Sequence, residues 1–112
     1  MSRQPQALDY TSGTITNSAV NIFEMGSALV TSAPTGARSF VGVTESAALR
    51  ARGDGSAPTA AEGQLIANGD TIYLGESEFS SMEFIRDAST DVELRGHFYN
   101  VEVDVLIGKV AS

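Results

Sequence analysis

A period of two in apolar and polar residues near the end of the sequence constrains the fold more than any other feature. From Val92 to Phe98 every second residue is apolar or glycine, and the residues between them are charged or histidine. This pattern is typical of a β-strand with one buried face and one solvated face. Gly96 falls on the apolar side, which indicates a bulge or the close approach of a neighbouring strand. The pattern therefore predicts a strand that lies against a hydrophobic core.

Three further local signals precede this strand. Asn68-Gly69 separates two apolar runs, and both residues tolerate the positive φ angles of a tight type I′ turn, so we expect a hairpin or a tight strand reversal there. Met82–Arg86 is short, aromatic and β-branched, which indicates another strand. The segment Asp87–Asp91 is rich in side chains that bond their own backbone and therefore predicts a turn.

Shorter strand signals fill the N-terminal half of the chain. We expect strands within Thr14–Phe23, Ala28–Thr31 and Phe40–Thr44, with a turn at Ala33–Gly36. Ala47–Arg52 fits either a strand or one helical turn, and the pattern does not decide between them. Short strands separated by Gly-rich segments favour an all-β fold, a small antiparallel β-sandwich or barrel.

The two ends of the chain differ from this β domain, which we place at residues 14–99. Residues 1–13 are polar, and we expect an extended N-terminal arm that is ordered only when something binds it. Residues 100–112 again alternate, which predicts a C-terminal strand or arm. Because the apolar phase changes at Phe98-Tyr99, either a bulge continues one long strand or the chain turns at Asn100 and a new strand begins.

Residues 53–63 have the least pattern, and we interpret them as a loop. Glycine, serine, proline, alanine and threonine dominate this segment. Thr59 and Glu62 have the spacing of a capping box, in which two side chains satisfy free backbone N–H groups at a helix start. Since Gly63 follows at once, we expect a single helical turn at most.

Length and charge limit the class of protein and of partner. A chain of 112 residues is expected to form one domain with a modest core. The formal charge of −7 arises entirely after Ala60, where ten acidic residues face three basic ones. Such a surface repels phosphates, so we expect no nucleic acid partner, and it is compatible with a basic protein partner.

Cysteine is absent, so the chain has neither a disulfide framework nor a thiolate metal site. The polar N-terminus predicts no signal peptide. No apolar run approaches the ~18 residues of a membrane span, so we expect no membrane partner.

Two features could carry function, but each has a simpler structural interpretation. Arg52-Gly53-Asp54 matches the integrin-ligand tripeptide, although Gly-Asp is also ordinary loop chemistry, which we favour. His97 is the sole histidine, and as a catalytic base it would need an orienting partner and a nucleophile. The sequence contains no G-x-S-x-G elbow, so we favour a solvated residue on the polar face of a strand.

An acidic region around the Asp87–Asp91 turn could bind calcium, because hard cations prefer clustered oxygens. The neighbouring acids are Glu76, Glu78 and Glu83. No EF-hand pattern is present, and aspartates at both ends of a turn are its usual caps. We therefore predict no catalytic residue, no cofactor and no metal site.

Three motifs together resemble the small accessory virion proteins of tailed bacteriophages. They are Gly69-Asp70-Thr71-Ile72-Tyr73-Leu74, then Phe84-Ile85-Arg86, then Val92-Glu93-Leu94 with Phe98-Tyr99. In that family such strands close a β domain, and the resemblance covers about residues 14–99.

The resemblance implies a capsid decoration (cement) protein rather than an enzyme. Such a protein would sit on the capsid surface as a homotrimer, bind the major capsid protein and strengthen the head, after assembly in a bacterial cytoplasm. A terminal arm would thread onto neighbouring capsid subunits. One alternative is a head-fibre or host-recognition module, in which loop 53–63 contacts a receptor or a glycan. A third hypothesis is a small hydrolase that uses His97 and a carboxylate.

Overall fold

Seven β-strands form two antiparallel sheets in the computed structural model, which describes residues 5–59 and 61–106. The four-stranded sheet has the order β1 (Ala7–Ile15), β7 (Val92–Tyr99), β2 (Ser39–Glu45) and β5 (Thr71–Gly75). The three-stranded sheet has the order β4 (Gln64–Ile66), β3 (Leu49–Arg52) and β6 (Glu83–Arg86). The expected all-β sandwich is confirmed.

After β2, the chain changes sheet at almost every connection. It passes from β2 to β3 through Ser46, whose φ is 83°. The turn at Asn68-Gly69 leads from β4 back to β5, and a short 3₁₀ turn, Glu76–Glu78, leads on to β6. Each sheet has one apolar face that must be buried, so these crossings place the two faces against each other around one core.

The strands with the clearest patterns are confirmed. β7 buries every second residue, β6 lies within the expected Met82–Arg86, and β2 contains the expected Phe40–Thr44. The undecided segment Ala47–Arg52 provides the strand β3. The turn at Ala33–Gly36 is also confirmed, because the Ala37 N–H donates to the Pro34 carbonyl at 3.0 Å.

Asn68-Gly69 forms the expected tight turn but not a hairpin. The Asp70 N–H donates to the Ala67 carbonyl at 3.1 Å, yet β4 and β5 belong to different sheets. Gly69 has a φ of 91° whereas Asn68 has no positive φ, which is a type II pattern rather than type I′. Thr44 fixes this turn, since its Oγ1 donates to the Ala67 carbonyl at 2.9 Å and accepts from the Gly69 N–H at 3.1 Å.

The expected N-terminal arm is wrong for residues 7–13, which lie in β1. This strand pairs with β7 from Ala7 opposite Tyr99 to Ile15 opposite Val92. Its polar composition is compatible with burial because Thr11, which is fully buried, accepts a hydrogen bond from the Val30 N–H at 3.2 Å. Residues 1–4 of the expected arm lie outside the described residues.

The strands expected within Thr14–Phe23 and at Ala28–Thr31 are wrong beyond Ile15. Residues 16–30 form an irregular segment instead. The Asn21 Oδ1 accepts from the N–H groups of Phe23 and Glu24 at 2.9 and 3.1 Å, and this local turn replaces an extended ladder.

The expected C-terminal strand is also wrong where the structure describes it. The chain leaves the sheet after Tyr99, and Val103–Leu106 forms one helical turn, α1. Val101 is buried, and its carbonyl accepts a hydrogen bond from the Ser39 hydroxyl at 2.7 Å. The irregularity in register lies in the partner strand β1, between Ala7 and Tyr10, and residues 107–112 lie outside the described residues.

The described residues of loop 53–63 have no regular secondary structure, as expected. The Thr59 Oγ1 accepts from the N–H groups of Ala61 and Glu62 at 3.2 and 2.9 Å, but no helical turn follows in the described part of the loop. The Thr59 and Glu62 backbones also exchange hydrogen bonds at 2.8 and 3.2 Å, so these two residues close a local turn.

The core lies between the sheets and is centred on Phe98. Its ring centroid lies 5.2 Å from that of Phe40, 5.3 Å from that of Phe79 and 6.1 Å from that of Phe23. Such aromatic pairs contribute about 0.5–1.5 kcal/mol each beyond area burial. The other buried apolar residues of the core are Ile15, Ile22, Met25, Ala37, Leu49, Ala51, Ile72, Leu74, Phe84, Val92 and Leu94.

Of the two alternatives expected at Gly96, a bulge or a close neighbour, the structure shows the close approach of a neighbouring strand. Gly96 lies directly opposite Gly42 of β2, and the Phe40 ring covers the space that both side chains leave empty. A Cβ atom at Gly96 would lie 2.7 Å from the Phe40 Cζ and would overlap the Val41 carbonyl oxygen. The two central strands can therefore pack under a phenyl ring only because this pair has no side chains.

Candidate interaction surface

The face of the four-stranded sheet that points away from the core has two rows of matched residues. We call this surface the outer face. Tyr10, His97, Val41 and Tyr73 lie opposite one another across β1, β7, β2 and β5, and Ser12, Arg95, Val43 and Thr71 form the next row. Because side chains alternate along a strand, all eight point to the same side of the sheet.

Large exposed side chains are concentrated on the outer face. Tyr10 is 42% exposed, Val43 39% and Tyr73 47%, and the two tyrosines lie on the two edge strands. Among the described residues, two more large apolar side chains are exposed to this extent. Leu65 lies in β4 of the other sheet, and Leu29 lies beside the edge of β1, where its N–H donates to the Ser12 carbonyl at 3.3 Å. Because exposed aromatic and apolar groups lie together on this one face, we take it as the candidate interaction surface.

Arg95 organises the middle of the outer face. Its guanidinium donates to the Tyr10 hydroxyl at 3.3 Å and to Glu45 Oε1 at 3.0 Å. These two bonds, the one to Tyr10 first, raise the pKa of Arg95 above its usual value. The Tyr10 ring also contacts His97 edge-on, with centroids 5.2 Å apart. The face therefore presents aromatic rings and a fixed cation, the groups that are enriched in protein interfaces.

His97 is exposed and lies between aromatic rings, not beside a carboxylate. Its second ring neighbour is Tyr99, with centroids 6.3 Å apart. Glu45 binds Arg95, and Glu93 accepts a hydrogen bond from the Thr14 hydroxyl at 2.7 Å. Within the described residues no carboxylate is hydrogen-bonded to His97, so the orienting partner that a hydrolase would need is not assembled there.

The Arg52-Gly53-Asp54 tripeptide is closed on itself. Arg52 Nε lies 2.8 Å from Asp54 Oδ1, and its Nη2 lies 3.0 Å from Oδ2. The bond from Arg52 holds the pKa of Asp54 below its usual value, and the same bond raises the pKa of Arg52. Both charged groups are thus already satisfied by each other, which agrees with the interpretation of this tripeptide as loop chemistry.

The acidic region separates into individual pairs. The ion pairs are Asp87–Arg50 at 2.8 Å, Asp91–Arg86 at 2.6 Å and Glu76–Arg38 at 3.4 Å. Glu78 accepts a hydrogen bond from the Gly75 N–H at 2.8 Å instead of facing another acid. Among residues 5–59 and 61–106 no three potential ligands come together as a metal site would require.

The sequence contains a partial signal for the outer face. Arg95 and His97 occupy the polar phase of β7, so their exposure follows from the alternation. The alignment of Tyr10 with Tyr73 across four strands depends on register between segments far apart in the chain, and no local pattern encodes it.

No protein-family model, curated protein or solved structure matches this chain. Among the described residues, no helix has the length and apolar character needed to cross a membrane.

Proposed function

We propose that this protein is a structural virion protein, a capsid decoration (cement) protein that binds the major capsid protein and stabilises the head. The outer face is the observation that supports this proposal best, because it offers exposed tyrosines and a fixed arginine on a rigid sheet. The resemblance to accessory virion proteins adds to it. The three motifs of that resemblance correspond to β5, β6 and β7.

The size of the outer face favours a multivalent mode of binding. Four strands spaced ~4.8 Å apart and about five residues long at ~3.3 Å each make a patch of roughly 300 Å². A stable interface buries about 800 Å² on each partner. One outer face is therefore too small for tight binding, whereas a homotrimer that engages three sites at once gains avidity without new contacts.

Binding alone is sufficient for this function. A protein that binds only the assembled shell stabilises it by mass action, in proportion to the logarithm of its concentration over the dissociation constant. The formal charge of −7 is compatible with a basic capsid surface and is unfavourable for contact with packaged DNA.

The receptor-binding alternative has weaker support. It would rely on loop 53–63 presenting Arg52 and Asp54 to a partner, and a new partner would first have to replace the pair that they make with each other. We therefore do not put forward a second function.

The direct test is the recovery of this chain from purified phage particles by mass spectrometry. We expect many copies per particle. The outer face is tested by adding variants to heads that lack the protein. Val43→Asp places a charge at the centre of the face, and we expect at least tenfold lower occupancy. Ala57→Asp is the control, since Ala57 is exposed in the loop between β3 and β4 of the other sheet, and its occupancy should be unchanged.

Two results would contradict the proposal. Particles without any copy of the chain would remove the decoration role altogether. Equal occupancy of the two aspartate variants would remove the outer face from it. The oligomer is tested separately by native mass spectrometry, where a trimer of 11.7 kDa chains has a mass of about 35 kDa.

A further inference from the structure

The edge strands on the two sides of the sandwich are covered differently. On one side, residues 16–30 cover β1 and β6. Thr14 and Gly26 exchange two backbone hydrogen bonds at 2.9 Å, and Val20 and Phe84 exchange two at 3.0 and 2.7 Å. On the other side, β4 and β5 are the edges, and no strand or segment of the described chain pairs with the free edge of β5.

The free edge of β5 presents unpaired backbone groups. The Thr44 N–H donates to the carbonyl of its partner Asp70 at 3.3 Å, so Thr44 and Asp70 are a hydrogen-bonded pair of the ladder between β2 and β5. Since bonded and non-bonded pairs alternate in antiparallel sheets, the N–H and C=O groups of Thr71 and Tyr73 point away from β2. Gly75 fits the same alternation, because its N–H donates to the Glu78 side chain and not to β2.

A groove lined by both polar and apolar residues lies beside this free edge. It occupies about 360 Å³ between β5 and the three-stranded sheet. Its apolar lining includes Leu65, Ile66, Ile72, Leu74, Met82 and Phe84. Leu65, which lies opposite Arg50 of β3, is 53% exposed. A strand added to β5 would direct every second side chain toward this groove, which is the geometry of β-augmentation.

Acidic residues predominate in the part of the chain that forms the groove. Between Arg52 and Arg86 the sequence has six acidic residues and no basic one, and this interval contains both β4 and β5. Asp70 lines the groove at one end of β5, and Glu76 and Glu78 follow the other end. An incoming strand therefore meets Asp70 at one end. At the other end it meets Glu78, and Glu76 in its pair with Arg38 at 3.4 Å.

A second copy of this chain does not fit this edge well. An antiparallel two-fold pairing of β5 centred on Tyr73 sets Asp70 opposite Glu76, and one centred on Leu74 sets it opposite Glu78. Like charges directly opposite each other destabilise a ladder. A third two-fold pairing, centred on Ile72, also keeps core-facing residues opposite core-facing residues. It sets Asp70 opposite Leu74 on the side of the groove, where the carboxylate would lose water against an apolar side chain.

We propose that the free edge of β5 and the groove beside it bind an extended segment of a different protein, in which apolar residues alternate and lysine or arginine stands at both ends. The segment extends the four-stranded sheet by one strand, its apolar side chains enter the groove, and its basic ends lie near Asp70 and Glu76. This site shares Thr71 and Tyr73 of β5 with the edge of the outer face, but it does not depend on the decoration role.

The first experiment measures the binding of a fluorescent peptide by anisotropy. In the probe, valine alternates with serine and lysines stand at both ends. We expect saturable binding that weakens as salt is raised. The counterpart with glutamates at both ends should bind at least tenfold more weakly.

A pair of N-methylated peptides tests the backbone pairing without altering the protein. N-methyl groups on every second residue remove the donors along one edge of the peptide. A peptide methylated on the edge that faces β5 should lose at least tenfold in affinity. The peptide methylated on the opposite edge should bind as the parent does, since those donors face solvent.

Three variants test the site from the side of the protein. Tyr73→Pro and Tyr73→Ala both remove the ring, but only proline removes the outward N–H, which an edge strand tolerates. We expect at least a tenfold loss for proline and less than threefold for alanine. Asp70→Asn keeps an oxygen that can accept from the Ala67 N–H, and should weaken binding about threefold with a shallower salt dependence.

Three outcomes would overturn the proposal. They are equal affinity for the lysine-ended and glutamate-ended peptides, equal affinity for the two N-methylated peptides, and a dimer of this chain that Tyr73→Pro dissociates. If circular dichroism shows that the proline variant is unfolded, the N-methylated pair decides the question with the unaltered protein.

Discussion

Replacing Gly96 with alanine tests the packing of the two central strands directly. In the structure, Gly96 and Gly42 face each other in register, and the Phe40 ring lies over both. An added Cβ would lie 2.7 Å from the Gly42 Cα, 2.7 Å from the Phe40 Cζ, and in overlap with the Val41 carbonyl oxygen. Two of these three atoms belong to the backbone of β2, so a rotamer change cannot relieve the clash.

We expect Gly96→Ala to reduce the free energy of unfolding by about 3 kcal/mol. Overpacking of a core costs ~1–3 kcal/mol, and the upper end applies because β2 must move. Unfolding entropy of ~2.1 cal/mol/K per residue gives about 0.24 kcal/mol/K for a chain of this length. The same loss therefore lowers the Tm by about 13 °C.

Urea denaturation followed by far-UV circular dichroism measures this loss. Gly75→Ala is the matched control, because it also lies in a strand of the same sheet. Its added Cβ would meet nothing closer than Glu78 Oε1, at 3.6 Å. The control should change the free energy of unfolding by less than about 0.5 kcal/mol.

A loss below about 1 kcal/mol for Gly96→Ala would refute this reasoning. The same would follow if both alanine variants unfolded at one urea concentration with equal m-values. Either result would mean that β2 and β7 can separate at little cost, contrary to a core in which Phe40 and both glycines fit closely.

Other predictions concern individual hydrogen bonds and charges. Thr44→Val removes the hydroxyl that serves Ala67 and Gly69 at the turn between the sheets, and should cost about 1–3 kcal/mol in urea denaturation. Arg50→Met should cost about 1–2 kcal/mol, because this half-buried guanidinium also binds the Gly63 carbonyl, whereas Arg52→Met should cost nothing measurable. NMR titration should show the pKa of Asp54 below that of a free aspartate, and Arg52→Met should return it toward the usual value. The small stabilisation from this pair is fully present above the pKa that Asp54 has in the unfolded chain, and it is lost as pH falls through the lower pKa that Asp54 has in the folded protein.

The central part of the fold could be predicted from short stretches of sequence. The alternation in Val92–Phe98 encodes β7 and its buried face, and the aromatic, β-branched run encodes β6. The sequence also marked Gly96 as special, as either a bulge or a close approach, and the structure shows the close approach. These features depend on neighbouring residues of one strand, which is why the sequence alone contains them.

The assignments that failed depend on partners far away in the chain. The polar segment 7–13 is a strand because β7 offers a ladder and Val30 offers a donor to the buried Thr11. The tail after Tyr99 alternates like a strand, but Val101 is buried and bonded to Ser39 instead. The Asn68-Gly69 turn was expected, whereas the change of sheet that prevents a hairpin was not.

The candidate site divides in the same way. The sequence by itself determined an acidic, cysteine-free chain with strand periodicity, and hence an all-β fold and a surface that repels phosphate. Only the tertiary structure decided that Tyr10 and Tyr73 share one face, that β5 keeps a free edge, and that Arg52 and Asp54 bind each other. The physical reason is that local periodicity selects the conformation of a strand, while register and sheet order follow from the burial of the whole core at once.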